Sequence, residues 1–227
     1  VKLDIVLLQC GLPMLTQRCL ASIVSHAPWA RVILVDNGSP RDDLVSTMRC
    51  VSHAFPVVAN DENLGFARAV NQGIRLSDAD YVCIQNNDTI MYEGGYERMI
   101  AHLEEHAPRL GLIGPMTNNA DSVQRGDGNG RGVQIVNGLV AFFCTVIPRR
   151  VIDDVGLLSE EYGMGYGEDN DYCIRLRDAG YRLGIARDVF VHHDHHATYR
   201  ALIGDDGIDR LGVENSERLM AKHGRLE

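Results

Sequence analysis

Lysine is nearly missing: the 227 residues hold two, Lys2 and Lys222, and the other twenty basic residues are arginine. Positive charge is also short overall, with 22 basic residues against 31 acidic ones and a net charge of −9. Binding along a nucleic-acid backbone needs a basic face, so nucleic acid is excluded as a partner of that kind. A single nucleotide needs only one small site, and arginine suits bidentate contact with its phosphates. The six cysteines form no CxxC pair, which speaks against a zinc ribbon or a disulfide framework. They read as buried free thiols of a reducing compartment. Long apolar runs are missing too. Val133–Pro148 is the longest uncharged apolar stretch, but it contains Asn, Gln, Gly and Thr and is too short and polar to span a membrane. The first residues, Val1-Lys2-Leu3-Asp4-Ile5, do not have the form of a signal peptide. The expected location is cytoplasmic, either free or peripheral at the inner face of the membrane.

Three common active-site patterns are absent as well. GxxxxGK[ST] does not occur, nor does GxSxG, and the glycine runs at 126–132 and 163–167 alternate as GxGxG without the GxGxxG spacing. A P-loop, a nucleophile elbow and a dinucleotide fingerprint are thereby disfavoured.

What is present is an ordinary globular composition, 45% apolar and 23% charged. A chain of this length buries roughly 70% of its unfolded surface as one domain, so residues 1–227 are read as a single domain. Apolar runs alternate with amphipathic stretches. Leu3–Gln9, Arg31–Val35, Val57–Ala59, Tyr81–Ile84 and Leu110–Ile113 read as strands, and Leu15–Ser25, Asp42–Val51, Phe66–Leu76 and Tyr92–His106 as helices. The alternation predicts an α/β fold with a mostly parallel central sheet flanked by helices. Ligands in such sheets sit beyond the carboxyl ends of the strands. Two polar clusters, Asp36–Ser39 and Asn86–Asp88, fall at such ends.

The second half is less regular. The glycine-rich segment Asn118–Gly132 reads as a mobile loop able to close over a ligand. Val133–Val146 is strand-like, Pro148–Val155 and Glu168–Ala179 helical, Arg182–Ala186 and Val189–Val191 two short strands, and Asp205–His223 weakly helical. The organisation expected is a nucleotide half of about residues 1–117, an acceptor and catalytic half of about 118–204, and a helical tail, 205–227.

Several clusters carry two readings each on their residues alone. Asp36 can accept hydrogen bonds from a base or a ribose, or can close an Asx turn. Asn63, Gly65 and Arg68 open a helix. They form either an anion site or a routine cap with a solvent arginine. Asp88, with Asn86 beside it, can hold a hard divalent cation together with phosphate oxygens, or can form a polar turn. Glu168-Asp169-Asn170-Asp171 can supply a general base with an acidic neighbour. The same residues can complement the helix dipole, with Asp171 paired to Arg175. The preceding Tyr162–Gly167 is glycine-rich and aromatic, as a sugar pocket could be. His192-His193-Asp194-His195-His196 suits a metal or phosphate role better than a bare surface one. In an extended chain His193 and His195 share one side, and His192 and His196 the other.

Taken in order, the strand ending DNGS, then NLGFARAVNQG, a strand ending NND, VNG with RR and VG, GEDNDYCIRLRDAGY and a strand with VHH resemble the family 2 glycosyltransferases over about residues 3 to 199. The resemblance implies a GT-A fold, a nucleoside-diphosphate sugar donor (UDP-, dTDP- or GDP-linked), Mn²⁺ or Mg²⁺, and inversion at the anomeric carbon. It also implies roles. Asp36 would hold the base or ribose; Asn63, Gly65 and Arg68 would line the nucleotide and diphosphate, with Asn86 nearby. Asp88 would bind the metal with His193 or His192, and Asp169 would be the general base beside Glu168. The acceptor would be a glycan, a lipid-linked compound or a small molecule. The chain departs from the family pattern at Cys10-Gly11, where a Tyr-Asn-like pair is usual, and at Ser159-Glu160, where an Asp-Glu pair is usual. Its metal motif has one carboxylate. A nucleotidyltransferase of the same fold would need a glycine-rich basic signature after the first strand, where Cys10–Pro13 stands. A non-catalytic sugar- or nucleotide-binding module would not need both a base and a metal ligand.

Overall fold

The computed structural model describes residues 1–50, 55–120, 122–194 and 197–224. Strands β1 (Leu3–Gln9), β2 (Arg31–Asn37), β3 (Val57–Asn60) and β4 (Tyr81–Asn86) are parallel neighbours in the order β3-β2-β1-β4. Helices α1 (Pro13–His26), α2 (Arg41–Cys50) and α3 (Phe66–Leu76) intervene along the chain. Beyond β4 the sheet becomes mixed. β8 (Cys144–Pro148) is antiparallel to both β4 and β6 (Leu110–Thr117), and β6 is parallel to β9 (Arg182–His193). β5 (Thr89–Met91) and β7 (Val133–Val136) each pair antiparallel with β9.

The side-chain alternation of β1 builds two cores. Ile5 and Leu7 pack on one face with Leu20 and Ile23 of α1 and with Met99 and Leu103 of α4 (Gly95–Glu105). Val6 faces the other side. It packs there with Val70 and Ile74 of α3, Val151 of α5 (Arg149–Val155), and Tyr172 and Leu176 of α6 (Glu168–Asp178). α7 (Ala197–His223) is bent at Gly204, where φ is 67°. No helix among the described residues is long and apolar enough to cross a membrane. The cysteines described are free thiols, four of them buried.

Four expectations change. The run 133–146 is two strands, β7 and β8, in different places in the sheet, because an apolar run alone does not say where a strand stops. Arg182–Ala186 and Val189–Val191 are one strand, β9. A bulge absorbs the polar pair between them, as the register passes from Pro115↔Ala186 to Met116↔Phe190. β5 was hidden just before the helix expected from Tyr92, which starts at Gly95. The glycine-rich loop is pinned to β9 by Gly130 N–H to Arg187 O (2.9 Å) and Arg187 N–H to Gly132 O (2.9 Å). A Cβ on Gly128 would come within 2.6 Å of Phe190 and one on Gly130 within 2.6 Å of Arg187, so these two glycines serve close packing against β9, whereas Gly132, at φ 62°, has open space beside it. Asp121 of that loop, Val51 of the second predicted helix, and residues 225–227 of the tail lie outside the described residues.

Candidate functional site

Because β1, β2 and β4 are parallel, their carboxyl ends share one edge. The register sets Gln9 against Asp36 and Leu8 against Asn86. β9 reaches the same place by pairing Thr89 with His193, and Asp194 N–H donates to Asp88 O at 2.9 Å. His193 Nε2 therefore lies 3.3 Å from Asp88 Oδ1. The imidazole is stacked on Phe143, and its backbone is bracketed by Asn118, whose Oδ1 accepts from His193 N–H at 2.8 Å. The N-terminus of α6 brings Glu168 and Asp169 to a cavity of about 350 Å³ that Asn86, Asp88 and His193 also line.

The structure gathers some of the predicted site residues here and leaves others outside. Asp36 is 1% exposed, accepts from Gln9 Nε2 (2.9 Å) and Ser39 N–H (3.3 Å), and sits behind the cavity wall. Its neighbour Asn37, which sequence reading did not single out, lines the cavity and organises the next loop. Asn37 Nδ2 donates to Asn63 Oδ1 (2.8 Å), and Leu64 N–H donates to Asn37 Oδ1 (3.0 Å). Asn63 lines the cavity and accepts from Gly65 N–H at 2.9 Å. Gly65 has φ +85°, and a Cβ there would lie 1.9 Å from Gly163 O, so only glycine lets the start of α3 meet the 163–164 backbone. Arg68 is not brought to the cavity. Its side chain is 59% exposed and ion-paired to Glu160 Oε2 at 3.3 Å. His192 points the other way, as strand alternation requires, and pairs with Asp194 Oδ1 at 3.0 Å. His195 and His196 lie outside the described residues.

Asn87 went unnoticed in the sequence as a separate residue. It is buried, lines the cavity and donates to Thr16 Oγ1 at 2.9 Å. α7 was not foreseen as a wall at all. Thr198 Oγ1 reaches Asn87 Oδ1 (3.4 Å), Tyr199 OH donates to Met164 O (2.7 Å), and residues of both halves of α7 line the cavity. Its amphipathic signal is diluted by glycines, so periodicity gave only weak notice of it.

The three carboxylates of the α6 N-terminus have different fates. Glu168 is 6% exposed and its Oε2 receives no hydrogen bond. Burial, then the charge of Asp169, pushes its acid well above the ordinary range. Burial also raises Asp169, and backbone N–H groups, including that of Asn170, offset part of the rise. Asp171 is fully buried and carries no share of the cavity wall. It accepts from Arg175 Nε (2.7 Å), His223 Nε2 (2.9 Å) and Tyr162 OH (3.2 Å), with Lys222 Nζ at 2.7 Å. Burial alone would raise its acid, but the bonds from Lys222, His223 and Arg175 overcome that and hold it below the usual range.

The Glu168 shift has a stability consequence with a definite sign. A carboxyl raised on folding binds its proton more tightly in the folded state. Its stabilising contribution is complete below the unfolded carboxyl range and fades as pH climbs through the folded value. Glu168→Gln should therefore gain melting temperature relative to the unmodified protein as pH rises from about 5 toward about 9. Parallel melting curves of the two proteins across that range check it, and a constant difference would contradict the assignment.

The described residues include no group of three or more His, Cys, Asp or Glu side chains able to hold a metal. Asp88, 6% exposed, still has an Oδ1 that receives no hydrogen bond. One carboxylate and one imidazole beside an open cavity suit a divalent cation whose remaining ligands are phosphate oxygens and water.

The chain is similar to the pre-mycofactocin glycosyltransferases of Mycobacterium tuberculosis strains CDC 1551/Oshkosh and H37Rv, at 27% identity over 201 residues. The alignment covers 80% of this chain and 41% of theirs, so the chain spans about two fifths of the length of these relatives. Among solved structures, the mannosyltransferase PcManGT from Pyrobaculum calidifontis in complex with GDP-Man and Mn²⁺ superposes with a TM-score of 0.71 at 17% identity, over 88% of this chain and 59% of that one. GalNAc-T7 with UDP, GalNAc and Mn²⁺ superposes with a TM-score of 0.70 at 12% identity, over 85% of this chain and 44% of that one. These likenesses establish the GT-A fold. The profile described as Glycosyl transferase family 2 matches residues 14–138, more than half of the sequence, and the chain belongs to that family.

Proposed function

We propose that the chain is an inverting glycosyltransferase. It moves a sugar from a nucleoside-diphosphate donor (UDP-, dTDP- or GDP-linked) to an acceptor hydroxyl. The observation that carries this reading is the convergence of two chemically different pairs on one cavity: Asp88 with His193, and Glu168 with Asp169. The two solved neighbours hold UDP and GDP-Man, each with Mn²⁺.

In this reading Asp169 takes the proton of the acceptor hydroxyl as that oxygen bonds to the anomeric carbon. The bond from that carbon to the diphosphate oxygen breaks on the opposite face, and its electron pair leaves with the nucleoside diphosphate. The raised pKa of Asp169, a result of its burial, suits a base that must hold a proton briefly. Mn²⁺ or Mg²⁺, held by Asp88 and His193, would neutralise the charge on the leaving diphosphate. Asn37, Asn63 and Asn86 offer amides to the nucleotide, and Gly65, outside the cavity wall, acts indirectly by letting the start of α3 pack on the 163–164 backbone. Arg68 joins the diphosphate only on leaving Glu160, and Asp36 acts from behind the wall through Gln9 and Ser39. In this proposal residues of about 1–117 form the donor half, about 118–204 the acceptor half, and 205–227 the tail that closes the site within a single domain 1–227.

The test is a screen of nucleotide sugars for metal-dependent hydrolysis or transfer, with EDTA as control. No turnover of any UDP-, dTDP- or GDP-sugar with Mn²⁺ would sink the reading. Asp88→Asn should weaken nucleoside-diphosphate binding in Mn²⁺ by about tenfold or more, the scale expected when a charged partner is lost from a buried site. It should also erase the difference that EDTA makes in the unmodified protein. Calorimetry with and without EDTA measures both, and an undiminished EDTA effect in the variant would remove Asp88 from the metal.

A further inference from the structure

The second half of α7 carries a glycine that the backbone does not explain. Glycine weakens a helix relative to alanine, so a helical glycine calls for a reason. Two of its neighbours have ordinary ones. Gly204, at φ 67°, makes the bend, and a Cβ on Gly207 would lie 2.8 Å from Ile203 Cβ. Gly212 has neither a positive φ nor a close contact, and a Cβ there would meet nothing within 4 Å. It is partly exposed and lines the cavity on the same helix face as buried Ile208 and Leu219.

Its place along the cavity is fixed by the next turn. Asn215 Nδ2 donates to Tyr162 O (3.0 Å) and Gly165 O (2.5 Å), which sets this stretch of α7 against the segment leading into Glu168 and Asp169. The first half of α7 lies instead by Asn87. Ser216 Oγ turns back to Gly212 O at 2.8 Å and so stays with its own helix. A second observation points to a ligand here: Glu168 Oε2, buried and lining the same cavity, receives no hydrogen bond.

We infer that Gly212 is a specificity-determining residue of the acceptor side. The room left by its missing side chain admits the bulk that adjoins the reacting hydroxyl, and Glu168 Oε2 accepts a hydrogen bond from the same molecule. The acceptor class is then an alcohol with a ring-sized group next to its hydroxyl. This deepens the glycosyl-transfer reading and rests on it.

Gly212→Ala and Gly212→Leu test it in the full chain, with whichever nucleotide sugar the unmodified protein hydrolyses in Mn²⁺. Methanol, benzyl alcohol and phenyl glucoside serve as acceptors, and the readout is glycoside formed relative to sugar released to water. Leucine should lower that ratio for the two ring alcohols, relative to methanol, by about tenfold or more, the scale of a filled pocket, with alanine in between. The melting temperature of Gly212→Ala should equal or exceed that of the unmodified protein. Three results overturn the inference: ratios that fall equally for methanol and the ring alcohols or do not change, a lower melting temperature for Gly212→Ala, or hydrolysis with no glycoside from any alcohol. Failure of the unmodified protein to hydrolyse any donor is a different result, and it overturns the function reading itself.

Discussion

Asp169→Asn is expected to lower sugar transfer by about 10²–10⁴ in rate, the usual worth of a positioned general base, while nucleoside-diphosphate affinity stays within a few-fold. The two effects separate because the groups are separate. Asp169 stands at the start of α6, whereas the nucleotide is assigned to residues at the ends of β1, β2 and β4 and the start of α3. Asparagine keeps the shape and can still accept from Asn170 N–H, as Asp169 Oδ1 does at 2.8 Å. A folding defect is therefore not expected, and circular dichroism checks it. The structure narrows the rivals for the role. Asp171 is sealed away from the cavity by four partners, so it cannot meet an acceptor. Glu168 lines the cavity and is the remaining rival. Steady-state transfer by Asp169→Asn and Glu168→Gln, side by side, decides between them. Near-normal turnover in Asp169→Asn with loss in Glu168→Gln would move the base one residue along the helix.

Asp171→Ala should cost stability instead. A buried carboxylate holding several cations is hard to remove, because its partners keep their charge; breaking such a pair typically costs about 3–5 kcal/mol. Here Arg175 and Lys222 are partly exposed and regain water, so a loss at or just below the lower end of that range is expected, about 2–3 kcal/mol. Denaturant midpoints measure the loss, and an unchanged midpoint would show that the cluster is ornamental. The damage should concentrate on the end of α7, since Lys222 and His223 come from its last turn. The pH dependence has a fixed sign. The folded acid of Asp171 is held below its unfolded value. Its contribution is present above the unfolded carboxyl range and is lost as pH falls through the folded value. Acid should release the tail before the sheet, and hydrogen exchange of α7 amides at falling pH reads that order.

The sequence by itself determined the elements whose signal is local. α3 spans Phe66–Leu76 as expected, because Ala67, Val70 and Ile74 repeat at the helical period and the face they form is buried. β1 runs Leu3–Gln9 as expected, bounded by the turn at Gly11 and by Pro13. The polar clusters at Asp36 and Asn86 were legible as strand ends, and a parallel α/β pattern already says where strand ends collect ligands. The opposite facing of His192 and His193 followed from strand alternation alone.

Tertiary structure decided everything that depends on which distant segments become neighbours. His193 meets Asp88 only because β9 lies between β6 and β5, and nothing in either segment encodes that order. Asp171 is set apart from Asp169 in part by Arg175, four residues on, whose pairing the sequence offered, and in part by Lys222 and His223 arriving from the far end of α7. Arg68 was drawn to Glu160 across the start of α3, and Gly212 became a cavity wall when Asn215 fixed its helix to the backbone at 162–165. Periodicity reports which face of an element is buried. What buries it is set by the simultaneous packing of both faces of the sheet, which is a property of the whole chain.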